Sequence, residues 1–425
     1  MLATPRPVET SVGRPSSIPG SARRERAITL LLLFLCQGLQ QVGFAAVALF
    51  LPRIRDDLAL SFTAGGVLAA GSTLIYAFMQ IPAGFLSDRF GPRRVFLPGC
   101  LGVMVVTLGF GFIATYWHAV ALMLANGLFR SLVFAPGMVL VASLFSPSRR
   151  ATSMGGYIGA SFLFTIVLNL VGPNLANALG WRAIFIGVGG AGLLSAVVFS
   201  RLAKGGGEGG PTAHVRDIVA LARYRVMWLA SGIQYARLAI VTGVTFWLPT
   251  LLVEEHALSL EHAGFVVALS SAFTAPSNLI GGYVSDRLRK PALVIGGALA
   301  VLTVTTASIG TLAMLPLVIV AVCVNAMFMQ VYFGSLFSAP IEVIGQRRAG
   351  MASGFGNFFA NLGSFTFAYV LGAVKDLTGS FQIGFLMLAA LAALGVALSL
   401  LLARERKAHA ARQAATTAAS APAPG

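Results

Sequence analysis

Between residues 27 and 403 the chain is a succession of twelve apolar runs separated by short polar breaks. Each run is close to the ~20 residues a helix needs to cross the hydrocarbon of a bilayer. Backbone in lipid must satisfy its own hydrogen bonds, so every run is predicted to be a helix. The runs fall at 27–52, 62–87, 94–114, 118–145, 151–177, 181–201, 226–252, 262–286, 291–311, 314–339, 349–374 and 381–403. Composition agrees, because 57% of the residues are hydrophobic and 10% charged, whereas soluble domains are roughly one-quarter charged. The expected fold class is an all-α membrane protein of twelve transmembrane helices.

The formal net charge is +16, so the placement of the charges matters. Of the 30 Lys and Arg residues, 24 lie in the two tails and in the loops after even-numbered runs. Four lie in the other loops (Arg53, Arg55, Arg182 and Lys375), and Arg130 and Arg237 lie inside runs. This asymmetry obeys the positive-inside rule and predicts a multi-pass protein of the plasma (inner) membrane with both termini cytoplasmic. The positive charge therefore reports topology, not nucleic-acid binding. Cys36, Cys100 and Cys323 have no metal-ligand spacing and read as packing residues, so neither metal nor cofactor is expected. Residues 1–26, rich in Pro, Ser and Arg, and the Ala-rich 404–425 read as disordered cytoplasmic tails.

The chain contains its own duplicate at a shift of 198 residues. Asp56-Asp57-Leu58-Ala59-Leu60-Ser61 returns as Glu254-Glu255-His256-Ala257-Leu258-Ser259. Ser87-Asp88-Arg89 returns as Ser285-Asp286-Arg287, and Arg149-Arg150-Ala151 as Arg347-Arg348-Ala349. The expected organisation is a six-helix bundle over 27–201, a Gly-rich cytoplasmic linker over 202–225, and a second bundle over 226–403. Duplicated helical halves can rock about a site at their interface near the bilayer midplane.

After the second run comes Gly84-Phe85-Leu86-Ser87-Asp88-Arg89-Phe90-Gly91-Pro92-Arg93-Arg94. It resembles, position for position, the Gly-x-x-x-Asp-Arg-x-Gly-x-Arg-Arg signature of the major facilitator superfamily. A degenerate copy, Gly282 with Asp286 and Arg287, stands at the repeat position. The resemblance spans residues 27–403 and implies two pseudo-symmetric six-helix bundles. It also implies that helices one, four, seven and ten line a central cavity. By its chemistry, Gly84 suits close helix approach and Gly91 a tight turn. Asp88 suits a helix N-terminus, which the resemblance places at the eleventh helix. Together Gly84, Asp88, Arg89, Gly91, Arg93, Arg94, Asp286 and Arg287 are expected to latch the cytoplasmic side.

Charges at membrane depth are costly and functional. All 14 acids can be assigned to loops, tails or helix ends, leaving none at the midplane. Arg130 and Arg237 remain at depth, and a guanidinium pair without carboxylates asks for an anion, which it can grip in a bidentate fork. Substrate contacts are therefore expected from Arg130 and Arg237. Gln37 and Gln40 share one face of the first helix, Gln234 aligns with Gln37 in the repeat at a shift of 197, one residue less than the others, and Asn357 and Asn361 form a stripe on the eleventh. The same polar side chains could instead hold helices together; Gln330 is a weaker candidate. No Walker-type motif is present. The expected function is a monomeric secondary transporter of a small organic anion such as a carboxylate, facilitative or coupled to a proton or an exchanged anion. An efflux pump for hydrophobic drugs or metabolites is the alternative. An enzyme is not expected, because no His, Asp or Glu is left at depth.

Overall fold

A computed structural model of the chain describes residues 20–144, 150–202, 221–288, 291–332, 336 and 349–419. All its regular elements are helices. The first span is α1 (Gly20–Leu49), continued after a break at Phe50 by α2 (Leu51–Leu58), whose Pro52 occupies the first turn. Then come α3 (Phe62–Phe90), α4 (Pro92–Phe110), α5 (Tyr116–Ser143), α6 (Arg150–Leu179) and α7 (Trp181–Leu202). The second bundle is α8 (Arg225–Glu254), α9 (Leu260–Leu288), α10 (Pro291–Thr311), α11 (Leu315–Phe328), α12 (Ala349–Thr378) and α13 (Gln382–Ala419). Ten of these helices are long and apolar enough to cross a membrane, and α9 and α11 complete the twelve. Apolar side chains such as Leu163, Val167, Val171 and Leu175 stay exposed along α6, as a lipid-facing surface demands.

Three boundaries differ from the sequence expectation. Helix α1 begins at Gly20, inside the stretch expected to be a disordered tail. Helix α13 continues to Ala419 instead of ending at 403, because its Ala-rich extension has high helix propensity. Helix α11 stops at Phe328, well short of 339. There Ser277 of α9 donates to the carbonyl oxygen of Met327 at 2.6 Å and reaches that of Ala326 at 3.3 Å, supporting backbone where the helix gives way to a turn. The rest of the expected tails and linker, 1–19, 203–220 and 420–425, lies outside the described residues.

The internal repeat is visible in the backbone. Ala59 and Ala257, equivalent at the shift of 198, have φ of 51° and 52°. Two residues on, Ser61 accepts from the amide of Ala64 and Ser259 from that of His262, capping α3 and α9 alike. Gly180 and Gly379, just before α7 and α13, have φ of 82° and 74°.

The two bundles meet along α3 against α12 and along α6 against α9. Glycines set these seams. A Cβ on Gly66 would come within 3.0 Å of the Ala368 carbonyl, and one on Gly264 within 3.0 Å of the Asn169 carbonyl. Gly66 and Gly264 are themselves equivalent at 198. Both lie near the end of the molecule that carries the acidic loops. That acidic face is also tied by Arg55 to Glu254 (2.9 Å), by Asn177 to Glu261, and by Asp376, which accepts from the amides of Phe62 and Thr63 at 2.9 and 2.6 Å. The last contact sets a carboxylate against the positive end of α3. Within the first bundle, Asp57 binds the Trp181 indole and Arg182, and chiefly the indole hydrogen bond holds its carboxyl below the usual range.

Candidate functional site

Near the middle of the spans the bundles enclose a cavity of about 410 Å³. Its first-bundle wall carries Gln37, Gln40, Gln41 and Phe44 from α1, Tyr76 from α3, Arg130 from α5, and Ser161, Thr165 and Asn169 from α6. Its second-bundle wall carries Leu238, Val241, Thr242 and Thr245 from α8, Ser270, Ser271 and Thr274 from α9, and Gln330 from the turn after α11. Arg130 is the one charged residue among those lining the cavity. The second-bundle wall supplies apolar groups, hydroxyls and the Gln330 amide but no charge.

Arg130 lies 14 residues beyond the first residue of α5, about 20 Å along the axis at ~1.5 Å per residue. Its guanidinium carbon sits 4.2 Å from the centre of the Phe44 ring and 4.6 Å from that of Tyr76. These rings fix its orientation, with an attraction of about 0.5–2 kcal/mol each. They do not satisfy its hydrogen bonds: Nη1 is buried without an acceptor. The nearby amides show the complementary gap. Gln37 donates to Ser161 Oγ at 3.0 Å, yet its Oε1 and that of Gln40 are buried without donors. One cationic donor and two unpartnered acceptors thus share the wall of one cavity. A ligand with a carboxylate and hydroxyl groups supplies what all three lack.

The structure separates the other expected contacts from this site. Arg237 does not line the cavity; it is 4% exposed, its Nε donates to Gln234 Oε1 at 2.8 Å and its Nη1 to Gln330 Oε1 at 3.4 Å. Gln234 lies behind the wall with it. Asn357 donates to Gln80 across the α3–α12 seam at 2.9 Å, and Asn361 donates to the Asn357 carbonyl at 2.8 Å. The donated bond of Asn357 thus runs between helices and that of Asn361 within its own helix. The expected pair of arginines in one void is therefore a single arginine with a second one recessed. Phe44, Tyr76 and the hydroxyl groups of α8 and α9 were missed, although Ser270, Ser271 and Thr274 form a legible stripe at helical spacing.

Of the signature residues, Gly91 has φ 86°, so the turn between α3 and α4 needs a glycine. Gly84 does not mediate the expected close helix approach in this conformation, since a Cβ there would meet open space. Arg93 donates to the Ser200 carbonyl at 3.2 Å, Arg287 to the Tyr283 hydroxyl at 3.0 Å, and Arg89 lies near the Phe90 ring. Arg94 is exposed, and the side chains of Asp88 and Asp286 lie outside the described residues.

The family model of the Major Facilitator Superfamily matches residues 33–368 and again 251–424. The chain belongs to the major facilitator superfamily. That membership makes it a multi-pass membrane transport protein and not an enzyme. Its similarity to individual members of the superfamily is spread along nearly the whole length. It is 24% identical over 416 residues to the "Probable galactarate/D-glucarate transporter" of Bacillus subtilis (strain 168), covering 88% of this chain and 89% of that one. It is 22% identical over 382 residues to the D-galactonate transporter of Escherichia coli O6:H1, covering 82% and 89%. It is 24% identical over 394 residues to the hexuronate transporter of Bacillus subtilis, covering 87% and 92%. In fold, this superfamily member resembles the crystal structure of a bacterial homologue of the human lysosomal transporter Spinster in its inward-facing, occupied conformation. The TM-score is 0.76 at 15% identity, covering 89% of this chain and 97% of that one.

Proposed function

We propose that the chain carries a small hydroxylated organic anion across the inner membrane by alternating access, gripping one carboxylate with Arg130. The observation that carries this reading is the unpartnered Arg130 Nη1 in a cavity lined by no acid. The relatives fit it, since three of them are named for galactarate and D-glucarate, D-galactonate, and hexuronate. The unpartnered Gln37 and Gln40 oxygens and the hydroxyls of α8 and α9 suit the hydroxyl groups of such molecules. An exporter of lipophilic cations fits poorly, because the wall offers a cation and no counter-charge.

The excess of Lys and Arg in one set of loops supports a cytoplasmic position for both termini; on that reading the tied acidic face is external and the described conformation is closed to the outside. Asp88 and Asp286, with their neighbouring arginines, would latch the opposite side when it closes. Arg130 also bears on the transport cycle. Closing the empty carrier traps a guanidinium without a counter-charge, which costs several kcal/mol. A bound monoanion removes that cost, so exchange of anions outruns net flux. In proteoliposomes, unlabelled gluconate inside the vesicles is expected to speed uptake of labelled gluconate at least about tenfold, one decade per ~1.4 kcal/mol. Equal rates into loaded and empty vesicles would exclude exchange. Failure of every hydroxylated anion to enter or bind would exclude the function itself.

A further inference from the structure

The recessed arginine has a role that the anion reading leaves unassigned. Arg237 and Val241 are one turn apart on the same face of α8, and Val241 and the adjoining Leu238 line the cavity. A guanidinium on that face lies next to the cavity, yet Arg237 does not line it. Gln330 stands between them: it lines the cavity, and its Oε1 accepts from Arg237 Nη1 at 3.4 Å. Gln234 Oε1, accepting from Nε, holds the same guanidinium from within α8. The backbone at Gln330 is not helical; it belongs to the turn after Phe328, at the end braced by Ser277 of α9. This turn brings the amide over the arginine.

We infer that Gln330 is the residue that sets the charge of the transported anion: by covering Arg237 it leaves the cavity one cation, so the carrier takes monoanions, like the D-galactonate and hexuronate of two relatives, and refuses dianions, like the galactarate and D-glucarate of a third. A dianion that gives one carboxylate to Arg130 must bring the second into a cavity whose other polar groups are neutral. A desolvated carboxylate without a cationic partner is strongly disfavoured. The amide cap is neutral and spends its oxygen on Arg237, so it offers a second carboxylate no charge. Truncating it removes a neutral group that lies on Nη1 and opens that side of the guanidinium to the cavity. Gln330 is then a specificity determinant, with Arg237 the charge that it conceals.

The inference rests on the proposed function, and the test separates the two. Uptake of gluconate and glucarate, and of glycerate and tartronate, is measured in proteoliposomes at pH 7. These pairs differ by one carboxylate at equal carbon number. The wild-type protein is expected to favour each monoanion by roughly 100-fold. Gln330→Ala is expected to cut that preference at least about tenfold through dianion uptake that rises above the wild-type rate. Adding Arg237→Gln to Gln330→Ala is expected to abolish the gain, which a merely looser cavity would keep. Equal wild-type uptake of mono- and dianion overturns the inference, and needs no variant to fold. So does a gain in Gln330→Ala that survives the second substitution. If monoanion uptake does not depend on Arg130, the anion reading itself fails; if it depends on Arg130 while dianions enter equally well, only the role of Gln330 fails.

Discussion

Replacing Arg130 by glutamine lowers gluconate transport by at least about thirty-fold and leaves the protein folded. The first half follows from the cost of removing one partner of a buried charged contact, about 2–5 kcal/mol. At ~1.4 kcal/mol per decade this spans roughly thirty-fold to several thousand-fold. The second half follows from the unliganded site. Arg130 Nη1 has no acceptor there, so its removal forfeits only the contacts with Phe44 and Tyr76. Against that loss stands relief from holding an unpaired charge away from water. The melting temperature of Arg130→Gln is therefore expected at or above that of the wild type. Arg130→Lys should fall between, since an ammonium keeps the charge but not the planar fork. Gluconate transport within about threefold of wild type in Arg130→Gln would remove the arginine from the site.

Gly264→Leu and Gly66→Leu abolish transport by a different route. Each glycine faces a backbone carbonyl of the opposite bundle, at Asn169 and at Ala368, where even a methyl group does not fit. Backbone cannot rotate away as a side chain can, so a leucine acts as a wedge between the bundles and keeps the acidic face from closing. Ion pairs on that face cannot compensate. Partly exposed pairs contribute about 0.2–1 kcal/mol each, whereas moving a two-state equilibrium from one side to the other takes about 5.5 kcal/mol. The expected result is loss of transport by more than about 100-fold. Labelling of Thr245→Cys by a membrane-impermeant maleimide from outside should rise in parallel. Gly190→Leu and Gly297→Leu are the controls, because a Cβ at either meets open space; they should transport normally. Normal transport by Gly264→Leu would show that these bundles do not close along this seam.

The twelve runs and the repeat at 198 were legible because hydropathy and duplication are local, one-dimensional signals. The repeat even forecasts backbone detail, as the matching left-handed Ala59 and Ala257 show. Depth was legible for the same reason: rise per residue is fixed, so Arg130 and Arg237 could be placed near mid-membrane. Direction was not. Gln37 with Gln40 and Asn357 with Asn361 show similar spacing, but the first pair faces the cavity and the second secures α12 to α3 and to itself. Only the neighbours of each helix distinguish these outcomes. The recessed position of Arg237 was hidden on the same ground, since the residue that accepts from its Nη1, Gln330, is 93 positions away. At its early end α11 is met by a serine of α9, a contact which no reading of α11 alone reveals. The glycine seams could have been found, because Gly66 and Gly264 share the repeat register.

Binding of gluconate and gluconamide to the purified wild-type protein and to Arg130→Gln, measured by titration calorimetry, confronts the carboxylate–guanidinium pairing with a change on each partner. The two ligands differ only in whether the terminal group is charged. The wild type is expected to prefer gluconate by at least about thirty-fold, and Arg130→Gln to lose that preference, leaving both ligands weak and similar. A wild type that binds gluconamide as tightly as gluconate, or a preference that persists without Arg130, would contradict the account.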